Sequence, residues 1–195
     1  MFGGTAEADA LYLINVGGND IRDILIDGLN PGDTIAAAAG TIATQVASLQ
    51  SAGASEILFV GVGNVVGIPE IRPAGPEVMA AGRFLSEQLN LAIQMVLAPL
   101  GVVFYDTIAF FDDVLPVLEG AGINTTEACL GSPDPDPEGA PTCNGYAFFD
   151  TVHPATQPLQ LLGDDIVASL VPVPATSLLF VPGLFVIAIR RKQVA

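Results

Sequence analysis

Apolar and polar positions follow two rhythms along this chain. Residues 10–16, Ala-Leu-Tyr-Leu-Ile-Asn-Val, form a nearly unbroken apolar run that stops at Gly17-Gly18. A run this short and continuous predicts a buried strand of a parallel sheet. Residues 56–62, Glu-Ile-Leu-Phe-Val-Gly-Val, and 102–106, Val-Val-Phe-Tyr-Asp, repeat the pattern. Between them the rhythm is helical. Residues 33–51 carry Ala, Ile and Val at helical spacing, follow Pro31-Gly32 and end before Gly53. That predicts a helix with Asp33 or Thr34 as its N-cap. A second long helix is expected over 76–97, ahead of Pro99 and Gly101, with a short one over 109–118 and a last one over 158–169. Residues 121–146 read as a loop, and no internal repeat is present.

Strand, helix, strand, helix, strand, helix predicts an α/β layered domain with a parallel sheet. Right-handed crossovers place all strand C-termini along one edge, where ligands bind in such sheets. Three strands make a thin sheet, and a strand or two upstream would complete it.

Composition agrees with a packed domain. The chain has 195 residues, 51% apolar and 14% charged, which suits one domain with a real core and excludes a disordered chain. The net charge is −15. Three of the six cations, Arg190, Arg191 and Lys192, stand together near the C-terminus, so the remainder sets Arg22, Arg72 and Arg83 against 21 acids. Such a surface repels phosphate backbones and argues against nucleic-acid binding. Two cysteines, Cys129 and Cys143, flank a stretch rich in Pro, Gly and Asp. They read as a disulfide, which fits an oxidising compartment, or as two unrelated thiols. Closing a loop of this size would contribute about 3 kcal/mol. Two Cys and a single His support neither a redox motif nor a zinc site, so no metal and no cofactor is expected.

The C-terminal residues read as an address. No charge occurs from Leu170 to Ile189, and Arg190, Arg191 and Lys192 follow at once, as in a membrane segment with a cytoplasmic tail. Prolines at 172, 174 and 182 interrupt it, and the 15 residues from Ala175 to Ile189 would span about 22 Å as a helix, short for a full crossing. Val171-Pro172-Val173-Pro174-Ala175-Thr176, the apolar run and the basic cluster resemble the bacterial PEP-CTERM sorting signal, with Val173 where that signal usually has Glu. The resemblance implies export, at least transient membrane insertion, and processing or anchoring by envelope sorting machinery. A simple tail anchor or a buried apolar helix are the alternatives. On this reading residues 1–170 are the folded domain and 171–195 the sorting segment. Residues 1–5, Met-Phe-Gly-Gly-Thr, have neither a basic n-region nor an apolar h-region. The expectation is that a segment upstream is missing.

Two motifs carry chemistry. Gly17-Gly18-Asn19-Asp20 ends the first strand. Its glycines permit a tight turn and close approach of a substrate to the backbone. The Asn19 amide would point into the cleft, where its N–H can stabilise an oxyanion. Asp20 would fix the turn by accepting backbone N–H groups. The second motif is Phe148-Phe149-Asp150-Thr151-Val152-His153-Pro154, with the chain's sole histidine. A carboxylate three residues earlier can reach Nδ1, fix the tautomer and leave Nε2 as a general base.

Together the two motifs resemble the third and fifth signature blocks of GDSL (SGNH) esterases and lipases, and the resemblance covers residues 8–170. It implies a flavodoxin-like three-layer α/β/α fold, here N-terminally truncated, and hydrolysis of carboxylic esters through an acyl-enzyme. The substrate class would be lipid or acylated carbohydrate esters. Asn19 would be the side-chain oxyanion donor, His153 the base and then the acid for the leaving alcohol, and Asp150 the group that orients His153. The family's Gly-Asp-Ser block and the glycine N–H of its second block have no counterpart. None of Ser48, Ser51, Ser55, Ser86, Ser132, Ser169 and Ser177 follows a strand at the sheet edge in a nucleophile-elbow context, and only Ser132, in the loop between the cysteines, could approach the site. The nucleophile is therefore unknown, and the chain is expected to be inactive alone. A non-catalytic envelope protein that keeps the fold for binding is the competing reading.

Three weaker signals are set aside. Gly61-Val-Gly63-Asn-Val-Val-Gly67 has dinucleotide-loop spacing, but Ile68-Pro69 stands where that motif needs a helix. Asp134-Pro-Asp136-Pro-Glu138-Gly139 opens like a calcium loop, yet its twelfth position is Gly145. Asn124-Thr-Thr is a glycosylation sequon, uninformative if the source is bacterial, as the resemblance of the C-terminal residues implies.

Overall fold

The computed structural model describes residues 4–64, 67–131 and 143–170. It divides into two compact units, Met1–Gln160 and Leu161–Ala195.

Three parallel strands form the sheet of the first unit, in the order β1 (Leu11–Ile14), β2 (Glu56–Val60), β3 (Val103–Tyr105). They coincide with the three apolar runs, so the expected mixed α/β class with a parallel sheet is present. Ile57, Leu58, Phe59 and Val60 are all buried, which is why β2 reads as continuously apolar rather than alternating. The register sets Tyr12 beside Ile57 and Ile14 beside Phe59, so these four share a face. On that face pack Ile42 and Val46, from a helix over Pro31–Ser51, and Leu85, Leu89, Ile93 and Leu97, from a helix over Pro76–Leu97. Each fully buried aliphatic or aromatic side chain here contributes about 1.5–3 kcal/mol relative to exposure.

The helices, in chain order, are α1 (Gly18–Asp27), α2 (Pro31–Ser51), α3 (Pro76–Leu97), α4 (Thr107–Gly120) and α5 (Thr156–Leu170). The cap of α2 differs from expectation. The helix starts at Pro31, and the Asn30 side chain, not Asp33 or Thr34, accepts from the Asp33 N–H at 3.0 Å. Pro31 at the first helical position loses nothing, since its missing N–H would have had no partner there. Asp106 caps α4 by accepting from the N–H groups of Ile108 and Ala109, so this helix begins two residues before the expected start at 109.

Two elements depart from the expected loops. Gly18-Asn19-Asp20 is the first turn of α1 rather than a free turn. The stretch after Ala121 holds a strand, β4 (Asn124–Ala128), paired in parallel with β5 (Tyr146–Phe148). Cys129 and Cys143 are disulfide-bonded with Cα atoms 5.5 Å apart, which settles their pairing. The bond closes the connection between the two strands, next to the buried Ala155. A second apolar cluster, Ile68, Ile71, Leu118, Ala147 and Phe148, joins this pair to the segment after β2 and to α4.

Among the described residues no helix is long and apolar enough to cross a membrane. The expected sorting segment 171–195, the acidic stretch 134–139 and Ser132 lie outside the described residues.

Candidate functional site

The site is built on the segments beyond the strand C-termini. β1 runs into Gly17, whose φ is 110°, a conformation that L side chains rarely adopt. Space enforces the same choice, because a Cβ there would lie 2.8 Å from Val62 Cγ2. Gly18 is different: a Cβ at 18 would meet nothing within 4 Å, so close packing explains only the first glycine of the pair. The Asn15 amide ties the end of β1 to the carbonyl oxygen of Val60 at 3.0 Å. Asn90, buried on α3, exchanges two hydrogen bonds with the backbone of Val62, at 2.8 and 2.9 Å. Gly61 passes beneath the Phe104 ring, where a Cβ would come within 2.6 Å. Packing thus accounts for the first glycine of the dinucleotide-like spacing over 61–67, while a Cβ at Gly63 or Gly67 would meet only ordinary contacts at 3.7 Å.

Asn19 stands exposed in the first turn of α1. Its Oδ1 accepts from Arg22 Nη1 at 3.3 Å, while its Nδ2 makes no hydrogen bond to the described residues. Asp20 does not support the turn as expected. No side chain caps α1, and the Asp20 carboxylate makes no hydrogen bond to the described residues. It lines an apolar groove of about 450 Å³ with Ile14, Val16 and Gly17 on one side and Ala37, Ala38, Thr41, Ile42, Gln45 and Val46 of α2 on the other.

The histidine turn is organised by Asp150. Its Oδ1 accepts from the N–H of Val152 at 2.8 Å and of His153 at 2.6 Å, an Asx turn that explains an aspartate at this position. The turn is closed by Phe149 N–H to the His153 carbonyl oxygen at 2.8 Å and by an antiparallel bridge between Phe148 and Pro154. The carboxylate oxygens also lie 3.0 and 2.8 Å from His153 Nδ1. Burial pushes the Asp150 carboxyl up, but hydrogen bonds from the imidazole and from the backbone N–H groups of His153 and Val152 outweigh it and hold the carboxyl at about 2. An ionised carboxylate only accepts, so Nδ1 carries a proton, and in the neutral imidazole Nε2 is then the nitrogen with the free lone pair. Nε2 makes no hydrogen bond to the described residues, and the His153 side chain is 73% exposed. That geometry suits a proton acceptor open to a substrate.

Arg22 and Glu70, which sequence reasoning missed, join the two motifs. Arg22 Nε and Nη2 donate to the two oxygens of Glu70 at 2.6 and 2.8 Å. The Glu70 backbone N–H donates to the Thr151 carbonyl oxygen at 3.0 Å. Arg22 holds the Glu70 carboxyl below its ordinary value through these bonds, against the opposing effect of burial. The sequence did hold a signal for Arg22: it is one of only three cations before residue 190 and stands three residues after Asn19. Nothing local marks Glu70.

No serine among the described residues hydrogen-bonds His153. Ser86 is buried on α3 and donates to Gly82, Ser55 donates to Ala8, Ser51 to Ala47 and Ser169 to Ile166, while Ser48 lies on α2. Among the described residues no group of three or more His, Cys, Asp or Glu could hold a metal. The sequence matches no family model and no curated protein, so a function for this chain has to be argued from the geometry of Asn19, Arg22, Glu70, Asp150 and His153.

Proposed function

We propose that the chain carries the oxyanion and acid–base parts of a carboxylic ester hydrolase of the SGNH class, in a flavodoxin-like three-layer fold. One observation carries the reading: the Asp150 carboxylate holds His153 Nδ1, and Nε2 is left open to solvent. In the reaction, Nε2 takes the proton of a serine hydroxyl as its oxygen attacks the ester carbonyl. The tetrahedral oxyanion receives a hydrogen bond from Asn19 Nδ2, and Asp150 stabilises the imidazolium. His153 then returns the proton to the departing alkoxide. Water, deprotonated by the same nitrogen, releases the acid from the acyl-enzyme.

The serine belongs on a further parallel strand beside β1. Leu11, Leu13 and Val16 are 52%, 54% and 50% exposed, and among the described residues nothing pairs with that edge. On the opposite face from Leu11 and Leu13, the groove between β1 and α2 leaves room for apolar side chains. The disulfide supports an exported protein, to which the 171–195 segment would contribute the sorting signal.

The test is hydrolysis of p-nitrophenyl butyrate by this chain alone and by the same chain joined to the residues encoded upstream of Met1. The expected result is background turnover for the chain alone and esterase activity for the extended protein. His153→Ala should abolish that activity, and Asn19→Ala should lower kcat by about 10²–10³. An extended protein with a serine at the β1 edge and no His153-dependent hydrolysis would leave the non-catalytic binding reading in its place.

A further inference from the structure

We infer that Arg22 and Glu70 are positioning residues that set the facing of the Asn19 amide and lock the histidine turn to it. The chemical meaning of this coupling rests on the hydrolase reading; the coupling itself does not.

A guanidinium only donates. The one atom of the Asn19 amide that Arg22 can hold is therefore Oδ1, and the observed contact is to that atom. Holding Oδ1 turns Nδ2 away from Arg22 and keeps the amide from flipping. Arg22 cannot swing to another acceptor, because its other two nitrogens grip both oxygens of Glu70. Such a two-point fork fixes the plane of the guanidinium, which a single charge contact does not. Glu70 in turn holds two elements. Its side chain grips α1, and its backbone N–H holds Thr151, inside the turn from Asp150 to His153. The path from amide to imidazole is thus Asn19, Arg22, Glu70, Thr151 and the Asx turn.

The pair is not needed to assemble these elements. Ile68, Ile71 and Phe148, with Leu25 and Val152 against them, already pack α1, the segment after β2 and the histidine turn into one cluster. Arg22 and Glu70 side chains are 26% and 28% exposed, and pairs near the surface add little to stability. What the pair adds is orientation.

The experiment is NMR of the full chain labelled on Asn side-chain amides and on the imidazole. His153 is the only histidine, so its ring gives one set of signals, and Asn19→Asp assigns the amide. Arg22→Lys keeps the charge and loses the fork. Glu70→Gln makes no hydrogen bond to either reporter, but it removes a charge that Asp150 feels, so the Asn19 amide signals, which that charge does not reach through Asp150, decide the test. Both variants are expected to shift the Asn19 amide signals and the His153 ring signals together, to raise Asn19 amide exchange severalfold, and to leave the core methyls of Leu89 and Ile93 in place. Arg22→Met should do the same, and if it does not fold the other two variants carry the test. The inference is overturned if the two conservative variants leave either reporter at its wild-type position, since the pair would then only neutralise surface charge. Because no turnover is needed, this result is separate from that of the ester assay: coupled reporters without hydrolysis would sink only the hydrolase reading.

Discussion

β1 and β2 are made of the same kinds of residue and lie side by side in one sheet, but their surroundings differ. Ile57, Leu58, Phe59 and Val60 of β2 are at most 5% exposed, whereas Leu11 and Leu13 of β1 are more than half exposed. The contrast comes from position. β2 has a strand on each side and α2 and α3 over one face, while among the described residues β1 has a partner on one side only. Tyr12 and Ile14 point into the packed face, and Leu11 and Leu13 to the other, as the register requires. An edge strand normally carries a charge or a proline that discourages pairing. Leu-Tyr-Leu-Ile carries neither. Its composition is that of an interior strand, which supports the proposal that a further strand seats beside it.

The largest test of that contrast is a matched pair of truncations. Phe59→Ala removes a ring that is 0% exposed and stacked on Phe104 at 5.9 Å. It should lower unfolding free energy by about 3–5 kcal/mol. Leu13→Ala should cost less than about 1 kcal/mol. Denaturant titration of both variants checks the difference, and comparable losses would mean that the outer face of β1 is covered after all. The β4–β5 pair invites a similar question, because β4 itself, Asn-Thr-Thr-Glu-Ala, brings almost no apolar side chain to it. Replacing both cysteines with alanine should cost about 3 kcal/mol by the loop-entropy argument. Loss of the His153–Asp150 NMR signature should accompany it, since Cys129 N–H bonds the Phe148 carbonyl oxygen beside the histidine turn.

The acid response of the histidine turn is smaller. The Asp150 carboxyl sits at about 2 in the fold, below its ordinary 3.8. A lowered folded value means that its contribution to stability is complete above the ordinary value and disappears as pH falls through the folded one. Wild type should therefore lose more thermal stability than Asp150→Asn when acidified from pH 4 to pH 2. The side chain is 35% exposed, so the effect should be modest beside the cysteine and core variants. Parallel acid slopes would show that the carboxylate bonds do not stabilise the turn.

These regions also differ in how legible they were. The three strands, α3 and the paired cysteines could be read directly, because buried runs and long periodic helices announce themselves. α1 could not: Asn19, Asp20, Arg22 and Asp23 mask a period carried by only two buried residues, Ile21 and Ile24. β4 reads Asn-Thr-Thr-Glu-Ala and has no apolar alternation; its conformation is imposed by β5 and the disulfide. The same division runs through the site. Asp150 and His153 are three residues apart, so their contact is local and visible in sequence. Glu70 reaches Arg22 across 48 positions, and no local pattern encodes such a meeting.

The finest test of the β1–β2 contrast concerns solubility more than stability. Leu13→Lys places a charge on the exposed face of an edge strand, where it should change unfolding free energy by within about 0.5 kcal/mol. It should also reduce self-association, because a charge on an open edge makes edge-to-edge pairing costly. Sedimentation velocity over a concentration series would show wild type forming larger species and the variant remaining smaller. In an extended protein the outcome changes: if a strand seats beside β1 and its connection covers the face that carries Leu13, the same lysine should cost several kcal/mol through burial of an unpaired charge. One substitution neutral in this chain and damaging in the extended one would show that β1's apolar face is a seat for a neighbour. Equal, small effects in both would mean that the edge stays open and would remove the ground for placing the proposed serine beside β1.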